Sequence, residues 1–432
     1  MNTRKNFFKY IFFNMLSMIG MSCYILADTY FISNGVGIHG LTALNLILPI
    51  YNLIFGIGAL IGVGGSTYFA IYDTQGQNQK ANAFFTYAII FSLFISIPFV
   101  LIGFFFSHDI SIMMGANKEI IHIASIYLRT FIVFTPFFIL EHVVLSFIRN
   151  DHNPRLASIA MVSATLFNII FDYILVYPCH LGMFGAALAT GFAPIIALLI
   201  CSLHFTNKNN HLFFKRSVFQ IEYLFKIIKT GIPSLIMELS GGIIIFVFNM
   251  IILKIGGNIA IASYGVISNL AIVVTSLYTG IAQGVQPLLS QSYARQNHEE
   301  KQSHLRYAYI TSLLLSIIIY CIIFTFPEQI VQLFNSESNQ TMLSIAREGL
   351  ILYFTGYFFA GINMISISYC SAIEKAQYST LLSLLRGGVI IIPFVIGLSH
   401  ILRMTGVWLS FPISELIILC FSFYIFKKYK IT

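Results

Sequence analysis

The chain has 432 residues, of which 57% are hydrophobic and 9% charged, with a mean hydropathy of +0.84 and a formal net charge of +8. A soluble domain carries about 25% charged residues, so this chain cannot cover a water-facing surface, and a soluble enzyme or nucleic-acid-binding module is excluded. The solvent is lipid, and at about 20–25 residues per span plus loops the length holds roughly twelve helices and little else.

In chain order, apolar runs between polar punctuation predict spans over residues 8–32, 41–72, 83–106, 120–148, 156–178, 183–205, 223–253, 260–293, 305–326, 342–372, 379–400 and 405–426. They are helices, because lipid offers no partner to backbone N–H and C=O groups. Runs such as Ile243–Phe248 lack the period-two alternation of a barrel strand. The basic start, Met1–Lys9, leads into an apolar run with no small-residue cleavage site, which reads as a first span. With both termini in the cytoplasm, most of the 24 Lys and Arg fall on the inner side and only Lys118, Lys254 and Arg403 on the outer. That asymmetry marks the cytoplasmic face of a cell-membrane protein. The basic stretch 206–222 reads as a cytoplasmic linker between two lobes, 1–205 and 223–432. The six cysteines are scattered without a CxxC and read as apolar packers.

A shift of 220 residues lays Leu41–Asn82 over Ile261–Gln302, so that Gly64 meets Gly284, and the polar turns Tyr72–Lys80 and Ser292–Glu300 coincide. At a shift of 221, Gly185 meets Gly406. Six spans per half start both halves on one side, a parallel duplication with an axis along the membrane normal. The fold class is therefore all-α integral membrane, with two pseudo-symmetric six-helix lobes around a central cavity.

Acidic residues within the spans are few: Asp28, Glu141, Asp172, Glu238 and Glu415. Each costs at least about 2.5–3.5 kcal/mol at mid-bilayer, so each is a functional candidate. Asn168 and Asp172 are four residues apart on one helix face. At about 1.5 Å of rise per residue, Asp28, Asn168, Asp172 and Thr190 fall at similar depth on three helices of the first half. Such a set holds a proton between its carboxylates, or supplies hard oxygen ligands to Na⁺. A polar knot tying three helices together is the plainer alternative. Glu238, five residues after Pro233 and beside Gly241–Gly242, would face the cavity and attract organic cations, with Gln283 as its possible polar partner. Glu415, after Pro412, is a further substrate-site candidate. Glu141 is placed to pair with Arg149, and Arg129 is left open. Gly56, Gly58, Gly62, Gly64 and Gly65 sit in an apolar span and read as close-packing positions. There is no GxxxxGK[ST], HExxH or GxSxG, so neither an ATP motor nor a catalytic domain is encoded.

The segments Ala27–Ser33, Gly56–Ser66, Asn168–Tyr173, Gly185–Thr190, Gly231–Ser234, Gly280–Pro287 and Gly406–Trp408, in this order and spacing, resemble the multidrug and toxic compound extrusion (MATE) family, nearest its DinF-like and archaeal-type branch. The resemblance implies a monomeric antiporter with a V-shaped cavity, exporting organic cations against H⁺ or Na⁺. It also implies a cation site at Asp28, Asn168, Asp172 and Thr190, and no cofactor beyond the coupling ion. Met21 stands where archaeal-type members carry a glutamine, and span 1 has no proline. A flippase for a lipid-linked precursor is the second reading, opposed by the scarcity of Lys and Arg in the spans.

Overall fold

The computed structural model describes residues 3–208, 210–215, 220–332 and 339–429, and the described residues form helices and turns without strands. Residues 209 and 216–219 of the expected linker lie outside the described residues. Spans 1, 2 and 3 are the helices Thr3–Gly35, Ile38–Thr74 and Asn78–Met113. Each exceeds its expected range, because a helix runs on past the apolar run that marks it in sequence. Span 4 differs from the single expected helix: Ile121–Val133 and Thr135–Asn150 meet at a 48° bend. Pro136 explains the break, since it donates no N–H and its ring excludes the carbonyl one turn back. The Phe134 N–H accordingly turns to Phe131 O at 3.0 Å, a tightened turn. Spans 5 and 6 are Pro154–Val176 and Gly182–Ser202, the former opened by the Asn153 side chain accepting from Leu156 N at 3.2 Å.

Ile221–Ala294 is helical over 74 residues, apart from Gly257 (φ 64°, ψ −158°). A straight helix of that length would reach about 110 Å, against a hydrocarbon core of about 30 Å. The chain doubles back at Gly257, and the Phe248 and Tyr264 rings stack across the hairpin at 5.4 Å. These are spans 7 and 8. Span 9 is His298–Thr325, and span 10 joins Gln340–Tyr353 to Tyr357–Ala372. Span 11 starts at Ala376 and passes through a π-turn at Leu385–Val389. The helix Ile391–Lys428 breaks at Arg403 (φ 55°), beyond which lies span 12. Among the described residues, nine helical stretches are long and apolar enough to cross a bilayer, ten with the bent pair. Splitting the two hairpins gives twelve.

The duplication holds at the level of single backbone angles. Positive φ recurs at Gly37 and Gly257, at Gly76 and Gln296, at His152 and Glu374, and at Gly182 and Arg403. The turn after span 2 is repeated bond for bond after span 8. Gln77 N donates to Tyr72 O (2.8 Å) as Asn297 N does to Ser292 O (3.1 Å), and Gly76 N to Asp73 O (2.9 Å) as Gln296 N to Tyr293 O (3.0 Å). Gly185 and Gly406 both allow a tight hairpin: a Cβ on either would meet the carbonyl of Leu175 or of Leu398.

Two hydrophobic cores follow the two halves, with a crossover at one end. Phe7, Tyr10 and Ile11 of span 1 join the core of the second half, and Ile227 of span 7 joins that of the first. The seam is built from glycines, because only a missing Cβ lets two backbones touch. A Cβ on Gly64 would overlap the Ile227 carbonyl, and one on Gly231 the Leu60 carbonyl. At the pseudo-symmetric place, a Cβ on Gly280 would stand 2.8 Å from Met15 Cα, and one on Gly284 3.1 Å from Tyr10 O. All these contacts lie toward the face that carries the termini, so the lobes are shut there. Toward the opposite face they part. Tyr30 and Asn34 of span 1, Leu41 of span 2 and Asn269 and Ile272 of span 8 line a groove of about 280 Å³ between them.

Candidate functional site

Spans 1, 5 and 6 of the first lobe bring Asp28, Asn168, Asp172 and Thr190 together. All four are buried, with Asn168 and Asp172 at 0% exposure. The helical repeat puts Asn168 one turn before Asp172 on a face turned away from lipid. The Asn168 amide, oriented to satisfy both ends, donates to Asp172 Oδ2 (3.1 Å) and accepts from the Thr190 backbone N–H (3.3 Å). Asp28 of span 1 stands near Asp172. One oxygen of each carboxylate, Asp28 Oδ1 and Asp172 Oδ1, is buried without a hydrogen-bond partner. A buried carboxylate with a bare oxygen is stable only when a proton or a cation is taken up. Tyr127, buried on span 4, stands near Thr190 and the two aspartates. Sequence reading missed it, because one tyrosine among 23 carries no spacing signal.

Asn168 and Thr190 also line a central cavity of about 80 Å³, so this cluster shares a wall with it. Glu238 and Gln283 line the same cavity, and so do Glu141, His142 and Arg149. Glu238 is exposed to the space between the lobes. Gln283 is the partner not of Glu238 but of Arg149, whose Nη1 donates to Gln283 Oε1 at 2.6 Å across the seam. Arg149 thus makes no ion pair with Glu141, contrary to expectation: the guanidinium reaches span 8, which the sequence could not place beside it. The glycines of span 2 divide by face. Gly56 and Gly64 meet Leu235 and Ile227 of span 7, whereas Gly58, Gly62 and Gly65 meet His142 and Phe147 of span 4. Arg129 is exposed and lies over the Phe104 ring at 4.2 Å.

The structure does not bring Glu415 to this cavity. It is 3% exposed within the second lobe, where Arg386 Nε donates to Oε1 (2.8 Å) and Asn363 Nδ2 to Oε2 (2.7 Å). Arg386 reaches it from the π-turn of span 11, which rotates that side chain out of helical register. Removing one partner of a buried pair strands the other charge. Arg386→Met is therefore expected to lower stability by about 3–5 kcal/mol, read as an earlier thermal unfolding transition in detergent. Adding Glu415→Leu should recover most of the loss.

The MatE family profile matches residues 14–174 and 233–396, one stretch in each half. The chain belongs to the MatE family. Among curated relatives, this MatE chain is similar to the multidrug export protein MepA of Staphylococcus saprophyticus, with 27% identity over 94% of this chain and 88% of the relative. MepA of Staphylococcus haemolyticus is 29% identical over 93% of this chain and 87% of its own length. Among solved structures, a multidrug resistance MATE family transporter in an outward-facing conformation superposes with TM-score 0.93 at 22% identity, covering 100% of this chain and 96% of that one. The Vibrio cholerae MATE transporter VcmN does so with TM-score 0.92 at 17% identity, over 99% and 97% of the two chains. At such identities these structures speak for the fold, and the MatE profile for the family.

Proposed function

We propose that this MatE protein is a secondary active antiporter, exporting small organic cations in exchange for H⁺ or Na⁺ by alternating access. The observation that carries the reading is the buried pair Asp28 and Asp172, each with an unpartnered oxygen, in a wall shared with the central cavity. The multidrug export role of the MepA relatives supports the substrate class. By the Lys and Arg asymmetry the face carrying the termini is cytoplasmic, so a molecule shut at that face is outward-open. The coupling ion enters from outside past Asn168 and Thr190, settles between the carboxylates and weakens substrate binding. The emptied cavity then closes outward, and the ion leaves to the cytoplasm. Ion and substrate need only different affinities for the two states, a coupling of about 1–3 kcal/mol. Glu238 offers a carboxylate to a cationic substrate, with Phe55 and Phe138 as aromatic walls. A flippase reading is weaker, since the cavity that Arg149 lines is also lined by two acids, Glu141 and Glu238, an environment poor for a pyrophosphate.

The test is transport in proteoliposomes with a proton or a sodium gradient imposed separately. Uphill movement of an ethidium-like cation under one gradient is expected; none under either would refute the reading. In the same assay Glu238→Gln should weaken cationic substrates by about fivefold, the scale of roughly 1 kcal/mol for a water-accessible charge pair, and leave neutral ones unchanged. Equal effects on both would remove Glu238 from the substrate site.

A further inference from the structure

A second polar cluster lies away from the cavity, on the terminal face of the first lobe. Asp73 comes from the end of span 2, Asp151 from the turn after span 4, and His211 from the linker. His211 Nδ1 is 3.2 Å from Asp73 Oδ2 and 3.5 Å from Asp151 Oδ1. One ligand atom from each residue falls within 4.8 Å of the others. Metal–ligand bonds of about 2.0–2.2 Å in a tetrahedron place neighbouring ligand atoms about 3.3–3.6 Å apart, close to the two distances from His211 Nδ1 to the carboxylates.

Asp151 is the second, independent sign. It is 1% exposed, and its two oxygens are treated differently. Oδ2 accepts from His204 Nε2 (2.6 Å) and from the His211 backbone N–H (3.0 Å). Oδ1 is buried with no hydrogen-bond partner and faces His211. His204, itself 1% exposed, has its other nitrogen 3.2 Å from the Asn153 amide nitrogen. The amide donates to Nδ1, and Nε2–H to the aspartate. That is the support an outer-layer histidine gives a metal-binding carboxylate, fixing its orientation and leaving the second oxygen free. Were His211 merely a protonated counter-ion, its Nδ1–H would be spent on the nearer Asp73, and Asp151 Oδ1 would stay bare. A cation between the three atoms satisfies all of them. Imidazole and carboxylate together suit zinc and its first-row neighbours better than calcium or magnesium, which prefer all-oxygen shells.

We propose that Asp73, Asp151 and His211 form a binding site for a divalent transition-metal ion of the zinc class, with water in the fourth position. The ion fastens the linker to the first lobe. The linker already lies along span 3, its backbone N–H groups at Phe213 and Lys215 donating to Asn82 Oδ1 (2.6 Å) and Thr86 Oγ1 (3.0 Å). The ion joins this strap to two further turns of the same lobe, just upstream of span 7. The site is open to water from the terminal face, since the His211 side chain is 49% exposed.

The experiment uses the full chain in detergent, stripped with chelator and titrated with Co²⁺, whose visible bands report tetrahedral coordination. One equivalent should bind with saturating bands, and Zn²⁺ should displace it. His211→Ala and, separately, Asp73→Asn should each weaken binding by tenfold or more. His211 is half exposed at the aqueous face, and Asp73→Asn keeps the shape of its largely buried side chain, so the variants should elute and melt like the parent when metal is absent. No saturable spectrum in the parent, or unchanged affinity in both variants, would overturn the site.

Discussion

Asp172→Asn is expected to abolish ion-driven transport while leaving the protein folded and inserted. The substitution keeps the shape of the side chain, and the new amide can still meet Asn168, so the packing of spans 1, 5 and 6 is not disturbed. What disappears is the charge that the proposed cycle neutralises once per turn. The carboxylate oxygen now left bare, Oδ1, is the atom that would take the proton or the cation. With a permanently neutral residue the two states of the molecule no longer differ in ion affinity. The coupling of about 1–3 kcal/mol, a 5- to 150-fold bias, is then lost. Asp28→Asn should do the same from span 1. Initial uptake in proteoliposomes under an imposed gradient, compared with ion-free counterflow, is the measurement. Wild-type rates in both variants would show that the cluster is only a polar knot.

The second large effect is expected at the seam. Gly231 lies against the carbonyl of Leu60, which any Cβ would overlap. Gly231→Val should force spans 2 and 7 apart at the terminal face. Overpacking of this kind costs about 1–3 kcal/mol, and the cost falls only on the conformation in which the lobes touch there. The population should move toward the state open at that face by roughly the same 5- to 150-fold. Because the strain is relieved once the lobes part at that face, thermal stability should change little. Cysteines placed at Leu60 and Ile227, on the two sides of the seam, would report it: cross-linking should fall sharply in the valine variant. Undiminished cross-linking with normal transport would mean that the glycine contacts do not hold the lobes shut.

Much of this architecture is legible in the sequence, because lipid imposes one demand on every residue of a span. The twelve runs, the duplication and the acidic residues each stand out against an apolar background. The N-lobe cluster was within reach for the same reason. Asp28, Asn168, Asp172 and Thr190 are polar residues at one depth, and depth is a one-dimensional quantity that counting recovers. What escaped are contacts set by rotation and by distant chain. The partner of Arg149 is Gln283, 134 positions away and across the seam. Glu415 has the same depth and cost as Glu238, yet a π-turn aims Arg386 at it and closes the pair. Tyr127 hides among tyrosines. Asp73, Asp151 and His211 lie in three separate turns, where polar residues are ordinary and only the fold makes them neighbours. The bend of span 4 was announced by Pro136, although a continuous apolar run masked it.

The crossing of spans 1 and 7 bears on how such a molecule can move. The opening turns of each are embedded in the opposite lobe's core, so neither half is a free rigid block. To swing open at that end, the two helices must either bend where they leave the borrowed core or drag its lining with them. Span 1, unbroken and without proline from Thr3 to Gly35, resists bending, whereas span 7 contains Pro233 close to its crossing. Rocking should therefore be lopsided, with span 7 flexing like a hinge pin and span 1 travelling as a stiff lever. A chain built by doubling a single ancestor would in this way have acquired a moving side and a fixed side.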